Sequence, residues 1–418
     1  MLKIISIIVS LLAALIGPAE ADIVSDNHAY ANQTPYGDPA STSIKAPPPG
    51  YQLVFLENVG RHGSRSQTTN DGEQRAYAVW KSASGKGQLT TAGKQFDDDL
   101  KAFQKAESAI GYGKLSALGK AQWAGIGRRT AANYHDFLTQ AATTGDDIAF
   151  RTTSVTRTKQ SAAALLRALD TAVPGLDLKP ASVDDRMRIT DGSTSAGRAG
   201  IASVLRRSDV RTAARHVLRR LYTAKFVDSL SDPVGKALDI YGLYAIAPSM
   251  RTETPVTFSR YVPVADAHLL GFAKDAQNFY RYGPGVKGQT GSYRQAQPVL
   301  DDFFAQLDKR LKGGHTAAVF RLAHGETTMP FAALSKMPGS TKQATTGTPY
   351  SYGNNPWRGY VAGRMAGNIE WAAYRNSTGA VLVTVRYNEQ PVKLHSSCAQ
   401  STVAPYFYRV SALKKCMS

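Results

Sequence analysis

Two arginines bracket a histidine and a glycine early in the chain, in the segment Arg61-His62-Gly63-Ser64-Arg65. A guanidinium group matches the geometry of phosphate oxygens and can bind two of them at once. A neutral imidazole between two such groups can attack a phosphorus atom whose negative charge has been partly neutralised. These residue types at this spacing therefore predict an anion site in which Arg61 and Arg65 bind phosphate and His62 is the nucleophile.

The elements that position these residues can be predicted from the apolar pattern around them. Residues 51–59 are typical of a buried strand that ends at the first motif, and Gly60 and Gly63 are expected to free the backbone for a sharp turn. A shorter apolar segment, 317–323, ends at a second histidine, His324, in a chain with only eight histidines. Ligands of an open α/β sheet bind beyond the carboxyl ends of its strands. We therefore expect both histidines to line one pocket.

A third arginine, Arg157, follows the short strand predicted over residues 148–153. The segment 154–166 turns into a helix, so Arg157 lies near a helix N-terminus, a position that attracts anions. Taken alone, it could also be a solvated helix arginine. Arg151 competes for the same role, but it lies within the predicted strand.

A strand followed by R-H-G-x-R resembles the signature of the histidine acid phosphatases, which belong to the histidine phosphatase superfamily. That family usually has proline two residues further on, where this chain has Gln67. Most members have His-Asp at the second histidine, whereas the multiple inositol polyphosphate phosphatase (phytase) branch has His-Ala-Glu, which His324-Gly325-Glu326 resembles. Segments 365–371 and 383–392 also resemble the closing segments of that branch.

The resemblance implies the role of each site residue. His62 would become transiently phosphorylated, and Glu326 would protonate the leaving oxygen and then activate water. The phosphoryl group would be bound by Arg61, Arg65, Arg157 and His324. The guanidinium groups would supply the positive charge, so neither a cofactor nor a metal is expected. The implied enzyme is a phosphoric monoester hydrolase.

The fold class expected is α/β, with a mostly parallel central sheet, flanking helices and an inserted, mainly helical cap. Residues 22–190 and 310–418 would form the phosphatase domain, and residues 191–309, where helical segments alternate with Gly, Ser, Ala and Arg, would form the cap. Residues 68–88 are expected to be a long loop near the pocket. The G-x-G-x-x-G pattern at 283–288 follows Tyr-Arg-Tyr instead of an apolar strand, which argues against dinucleotide binding.

Residues 1–21 have the pattern of a cleaved signal peptide, with Lys3, an apolar stretch over 4–16 and Ala19-Glu20-Ala21. This predicts a secreted or periplasmic protein without stable membrane insertion. Such compartments are oxidising, and Cys398 and Cys416, the two cysteines of the chain, could pair and tie the C-terminal tail to the body. Two free thiols are the alternative.

The formal net charge of +18 favours polyanionic partners. Basic residues are spread along the chain without the interleaved aromatics of a single-strand groove, so nucleic acid is not expected. The partner expected is a small polyphosphorylated ester, with inositol polyphosphates as the favoured class. A broad-specificity acid or sugar-phosphate phosphatase of the same superfamily is one alternative, and a non-catalytic basic protein that binds polyanions is another.

Overall fold

The computed structural model of the chain describes residues 29–39 and 44–418, so the predicted signal peptide lies outside the described residues. Within these ranges nine strands form one sheet. They are β1 (Tyr51–Arg61), β2 (Asp147–Thr152), β3 (Asp177–Leu178), β4 (Ser182–Val183), β5 (Thr316–Ala323), β6 (Asn368–Asn376), β7 (Val381–Tyr387), β8 (Gln390–Pro391) and β9 (Phe407–Arg409).

The strand order is β3-β2-β5-β1-β6-β7-β8, with β4 beside β2 and β9 beside β7. Strands β1 to β5 pair in parallel. Strands β6 to β9 add an antiparallel half, because the short connection at 377–380 can only join antiparallel neighbours. The predicted α/β class with a parallel central sheet is confirmed.

Fifteen α-helices occur in the described part of the chain. They are α1 (Asp71–Gly85), α2 (Thr91–Ile110), α3 (Ala117–Asn133), α4 (His135–Thr144), α5 (Thr156–Ala172), α6 (Ser195–Leu205), α7 (Ser208–Leu221), α8 (Ala224–Asp228), α9 (Pro233–Ile246), α10 (Val264–Tyr282), α11 (Gly291–Arg294), α12 (Gln297–Leu311), α13 (Gly325–Leu334), α14 (Gly359–Ala362) and α15 (Val410–Met417).

The sheet has a hydrophobic core on each face, because successive strand residues point to opposite sides. Leu56 packs with Trp123 and Leu165 of α3 and α5 on one face. Its neighbour Phe55 packs with Phe303 of α12 and with α13 on the other face. The central strands are thereby buried on both sides, which is why β1 and β5 carry nearly continuous apolar runs.

A third core lies among the helices of the middle of the chain, where α7, α9 and α10 pack together. Helices α1 and α2 share this core through Ala76, Phe96 and Phe103, although they precede the predicted cap in sequence. The cap bounds 191–309 stay a prediction. The prediction of a loop over 68–88 was wrong, because α1 occupies most of it and its small apolar residues pack against α9.

The C-terminal tail is tied to the body by a disulfide between Cys398 and Cys416, whose Cα atoms lie 5.2 Å apart. This resolves the alternative of two free thiols in favour of the pairing. No helix in residues 29–39 and 44–418 combines the length and the apolar character that crossing a membrane would require.

Candidate active site

The two histidine motifs meet at one edge of the sheet because β1 and β5 are parallel neighbours in a fixed register. Arg61 is paired with Ala323, so His62 and His324 are each the next residue beyond the pair. The His62 backbone N–H donates to the Ala323 carbonyl at 2.9 Å. The two imidazole rings lie edge to face with centroids 5.7 Å apart. The structure therefore brings both histidines into one pocket.

The glycines around His62 are required for space. Neither Gly60 nor Gly63 has a positive φ angle, contrary to the expected role in a sharp turn. A Cβ atom on Gly63 would lie 2.3 Å from the Gly119 carbonyl oxygen at the start of α3. A Cβ atom on Gly60 would lie 2.4 Å from the Trp123 ring. Because side-chain atoms cannot approach so closely, glycine is needed where α3 packs on the loop.

His62 is held as a neutral imidazole with one defined tautomer. Its Nδ1 lies 2.9 Å from the Gly63 carbonyl oxygen, which can only accept a hydrogen bond, so Nδ1 carries the proton. Burial, followed by the charges of Arg61 and its neighbours, holds the pKa of His62 well below its usual value. The lone pair is therefore on Nε2, which is the form required of a nucleophile.

Three arginines surround this imidazole without carboxylate partners among the described residues. Burial lowers the pKa of Arg61 to about 10 and that of Arg65 to about 9, so both remain charged at neutral pH. Arg157, the second residue of α5, is the third. The Nε atoms of all three are buried and have no hydrogen-bond partner. Such unpaired buried cations are costly, and a bound anion would compensate them.

Arg151, the competing arginine, lies elsewhere. It forms an ion pair with Asp302 on the side of the sheet that packs against α12. The side chain of Asp302 also accepts from Arg321 at 2.6 Å. Because its charge is already compensated, Arg151 is a structural residue, in agreement with its rejection from the sequence.

His324 is oriented by partners on both ring nitrogens. An Arg157 guanidinium N–H donates to His324 Nδ1 at 3.2 Å, so the proton resides on Nε2, which donates to the Thr153 hydroxyl at 2.9 Å. Burial and the Arg157 charge lower the pKa of His324 to about 4. In the free protein His324 is therefore neutral, and it would gain the ability to donate to phosphate on protonation.

Glu326 lies in the first turn of α13, two residues beyond His324. Burial acts to raise the pKa of Glu326, but the positive charges of Arg61 and its neighbours outweigh it and hold the pKa below its ordinary value. In the free protein this carboxyl is therefore ionised at neutral pH. At that pH, a proton on Glu326 would require negative charge near the arginines.

A cleft of about 840 Å³ adjoins the motif at Arg65. It lies between the 67–72 segment, α9 and α10, and Lys274 and Gln277 of α10 line it. Lys274 forms no hydrogen bond or ion pair within the described residues, and the Glu326 carboxylate acts on its pKa, which burial lowers. Sequence reasoning assigned no cap residue to the site, because one lysine within an amphipathic helix carries no distinguishing signal.

The N-terminal segment also contributes to the site, which the sequence analysis did not predict. The Arg61 guanidinium donates to the backbone carbonyls of Asn32 and Gly363, and Gln33 lines the cleft. The structure thus gives the N-terminal segment a role at the site. Its role is exerted through a backbone carbonyl, which any residue provides, so no side-chain pattern could have indicated it.

Comparisons with known proteins agree with this geometry. Residues 52–193 match the family model described as the histidine phosphatase superfamily (branch 2). No curated protein matches the chain in sequence. The Bifidobacterium longum multiple inositol polyphosphate phosphatase, solved in complex with inositol hexasulfate, is 26% identical with a TM-score of 0.89, over 94% of this chain and 97% of that one.

Two phytases share the fold at lower sequence identity. The phytase from D. castellii has a TM-score of 0.65 and 13% identity, over 97% of this chain and 88% of that chain. The Hafnia alvei phytase, in complex with myo-inositol hexakis sulphate, has a TM-score of 0.55 and 13% identity, over 89% and 97%. The family model covers both arginine motifs, so residues 52–193 are similar to the histidine phosphatase superfamily, branch 2, and together the comparisons identify the protein as a phosphatase.

Proposed function

We propose that this phosphatase is secreted and hydrolyses inositol polyphosphates through a phosphohistidine at His62. The observation that carries the proposal is the state of His62. It is a neutral imidazole whose Nδ1 donates to a carbonyl, and three guanidinium groups without carboxylate partners among the described residues surround it. That arrangement leaves Nε2 free to attack an electrophile. It also provides donors for the charge that develops on the phosphoryl oxygens.

In the first half-reaction the Nε2 lone pair of His62 forms a bond to phosphorus as the bond from phosphorus to the ester oxygen breaks. Arg61, Arg65 and Arg157 bind the three non-bridging oxygens, with His324 as an additional donor when protonated. The leaving alkoxide takes the proton of Glu326. In the second half-reaction the Glu326 carboxylate takes a proton from water, the water oxygen attacks phosphorus, and the nitrogen–phosphorus bond breaks.

Substrate binding would favour the protonated form of Glu326. A bound phosphate ester brings negative charge to the guanidinium groups that hold the Glu326 pKa down. Their compensation raises that pKa, since nearby opposite charges are what lowers it. Glu326 is thus expected to be ionised in the free protein and protonated in the substrate complex.

Inositol polyphosphates are the favoured substrates because of the cleft beside Arg65. Its volume of about 840 Å³ falls in the range typical of sites for small molecules. Lys274, Lys236 and Arg65 line it and would bind phosphates remote from His62, whereas Arg75 is paired with Asp239, and Asp71 and Asp232 also line the cleft. The similarity to an inositol polyphosphate phosphatase that binds inositol hexasulfate supports the same substrate class.

Secretion is proposed from the predicted signal peptide over residues 1–21 and from the disulfide. Disulfides form and persist in oxidising compartments and are rare in the cytosol. The pairing of Cys398 with Cys416 is consistent with such a compartment. Periplasmic or extracellular recovery of a mature chain that begins at Asp22 would support this part of the proposal.

The test is product analysis with inositol hexakisphosphate and p-nitrophenyl phosphate, in the presence of a chelator. We expect release of phosphate from both, competition between them, and no turnover by His62→Ala. Alkaline quenching should trap a phosphorylated wild-type protein, with the phosphate on the peptide that contains residue 62. Hydrolysis of p-nitrophenyl phosphate alone would indicate a broad-specificity acid phosphatase. Binding of inositol hexakisphosphate without any hydrolysis would indicate the non-catalytic alternative.

A further inference from the structure

Gln67 stands where the histidine acid phosphatases usually have proline, and its backbone N–H makes a bond that proline could not make. This N–H donates to the Glu107 carboxyl at the end of α2. The Gln67 carbonyl in turn accepts from the Gly113 N–H at 2.6 Å. Because proline has no backbone N–H, the bond to Glu107 exists only with the residue found in this chain.

Glu107 belongs to a pair of buried carboxyl groups. Glu107 and Glu73 of α1 are both fully buried, and the Tyr112 hydroxyl donates to Glu73 at 2.7 Å. The second oxygen of each carboxyl has no other partner. Burial, with Glu73 beside it, raises the pKa of Glu107 to about 9, so Glu107 is protonated at neutral pH. That proton can lie between the two carboxyl groups and satisfy both free oxygens.

The segment held by Glu107 is the one that carries Arg65. An Arg65 guanidinium N–H donates at 2.6 Å to the Ser66 carbonyl, which belongs to the same peptide group as the Gln67 N–H. The Ser66 N–H donates to the Lys114 carbonyl at 3.2 Å. These contacts connect the α2 terminus to the guanidinium group through two residues, with Arg65 itself only 8% exposed.

We propose that Glu107 is a positioning residue for the phosphate site, which anchors the Gln67 N–H and thereby keeps the Arg65 guanidinium aimed at the phosphoryl group. The inference rests on the proposed function, because it assigns Arg65 to phosphate binding. It also explains how this chain tolerates the loss of proline. A hydrogen bond to a buried carboxyl takes over the task of fixing the backbone after Arg65.

The experiment compares phosphate binding by matched variants of the full-length mature protein. Gln67→Ala and Gln67→Pro both remove the side chain, but only the second removes the N–H. We expect the dissociation constant for inorganic phosphate, from calorimetry, to be on the order of tenfold higher for Gln67→Pro than for Gln67→Ala. We expect the Michaelis constant for p-nitrophenyl phosphate to rise in parallel, with a smaller change in kcat.

Substitutions of Glu107 provide a second contrast that does not depend on proline. Glu107→Gln keeps an acceptor for the Gln67 N–H and a donor for Glu73, so it should retain phosphate affinity. Glu107→Leu should weaken phosphate binding by about tenfold. The double variant Gln67→Pro/Glu107→Leu should bind phosphate no more weakly than the weaker of the two single variants, because each single substitution already removes the same hydrogen bond.

Equal phosphate affinity for folded Glu107→Leu and Glu107→Gln would overturn the positioning role, even if Gln67→Pro failed to fold. Failure of the proposed function has a different signature. In that case the wild-type protein would hydrolyse no phosphate ester, while the contrasts in phosphate binding among the variants could still be measured.

Discussion

Arg61 in β1 is paired with Ala323 in β5, so the residues that follow them, His62 and His324, leave the sheet side by side. The distance between the two imidazoles is therefore set by strand register. A shift of one residue would turn every side chain of a strand to the other face, which the cores on both faces of the sheet oppose. The chain between the two motifs can therefore vary in length without changing this register.

Glu326→Gln tests the proton donor through the leaving group. An inositol alkoxide is a poor leaving group and needs protonation, whereas p-nitrophenolate leaves unaided. We expect turnover of inositol hexakisphosphate to fall on the order of 10²- to 10⁴-fold, and turnover of p-nitrophenyl phosphate to fall much less. Steady-state kinetics with both substrates provides the measurement, and equal losses on both would remove Glu326 from this role.

The pH dependence follows from the same carboxyl. The pKa of Glu326 is depressed in the free protein, so its protonated form declines as the pH rises above the acid range. We expect kcat/KM on inositol hexakisphosphate to be highest in acid and to fall towards neutral pH. Glu326→Gln should abolish that fall, and a profile shared by wild type and variant would assign the titration to another group.

Gly325→Ala tests the approach of α13 to Arg61. A Cβ atom on Gly325 would lie 3.3 Å from the Arg61 Cζ atom, tighter than an ordinary contact. The guanidinium cannot easily retreat, since the carbonyls of Asn32 and Gly363 hold its other side. We expect kcat/KM to fall roughly three- to tenfold through displacement of Arg61, with little change in melting temperature. Wild-type kinetics would show that Arg61 has room to move.

Lys274→Ala tests binding of the phosphates that are not being cleaved. Lys274 lines the cleft and has no partner within the described residues, so a remote phosphate would pair with it. We expect the Michaelis constant for inositol hexakisphosphate to rise about tenfold or more, while that for p-nitrophenyl phosphate stays within about twofold. Lys236→Ala, on α9 across the same cleft, is the comparison variant. If Lys274→Ala raised the Michaelis constants of both substrates equally, Lys274 would lie at the reacting phosphate instead.

Asp302→Ala tests the buried ion pair below the site. Asp302 accepts from Arg321, which is 1% exposed, and the Arg321 and Arg151 charges outweigh burial and hold the Asp302 pKa to about 2. Removing one partner should destabilise the protein by about 3–5 kcal/mol, measured by urea denaturation. Because the folded pKa is depressed, this contribution is present above pH 4 or so and is lost as the pH falls towards 2. A variant as stable as wild type at neutral pH would contradict it.

Local pattern was sufficient for the elements that carry the motifs. The apolar runs before His62 and His324 predicted β1 and β5, which end at Arg61 and Ala323. Helix α1 was missed because the Gly, Ser and Lys residues within 68–88 were taken to favour a loop. Its Ala76 and Ala83 are buried only by the helical core that it shares with distant parts of the chain.

The sequence by itself determined which reactive side chains this protein has and that each follows a strand, because residue type and apolar periodicity are local properties. Only the tertiary structure decided their protonation states and the contacts that hold them in place. The neutral His62, the ionised Glu326 and the Glu107 anchor arise from burial and from charges brought together across the chain. Electrostatic energies depend on distance and burial in space, and neither can be obtained from the order of residues alone.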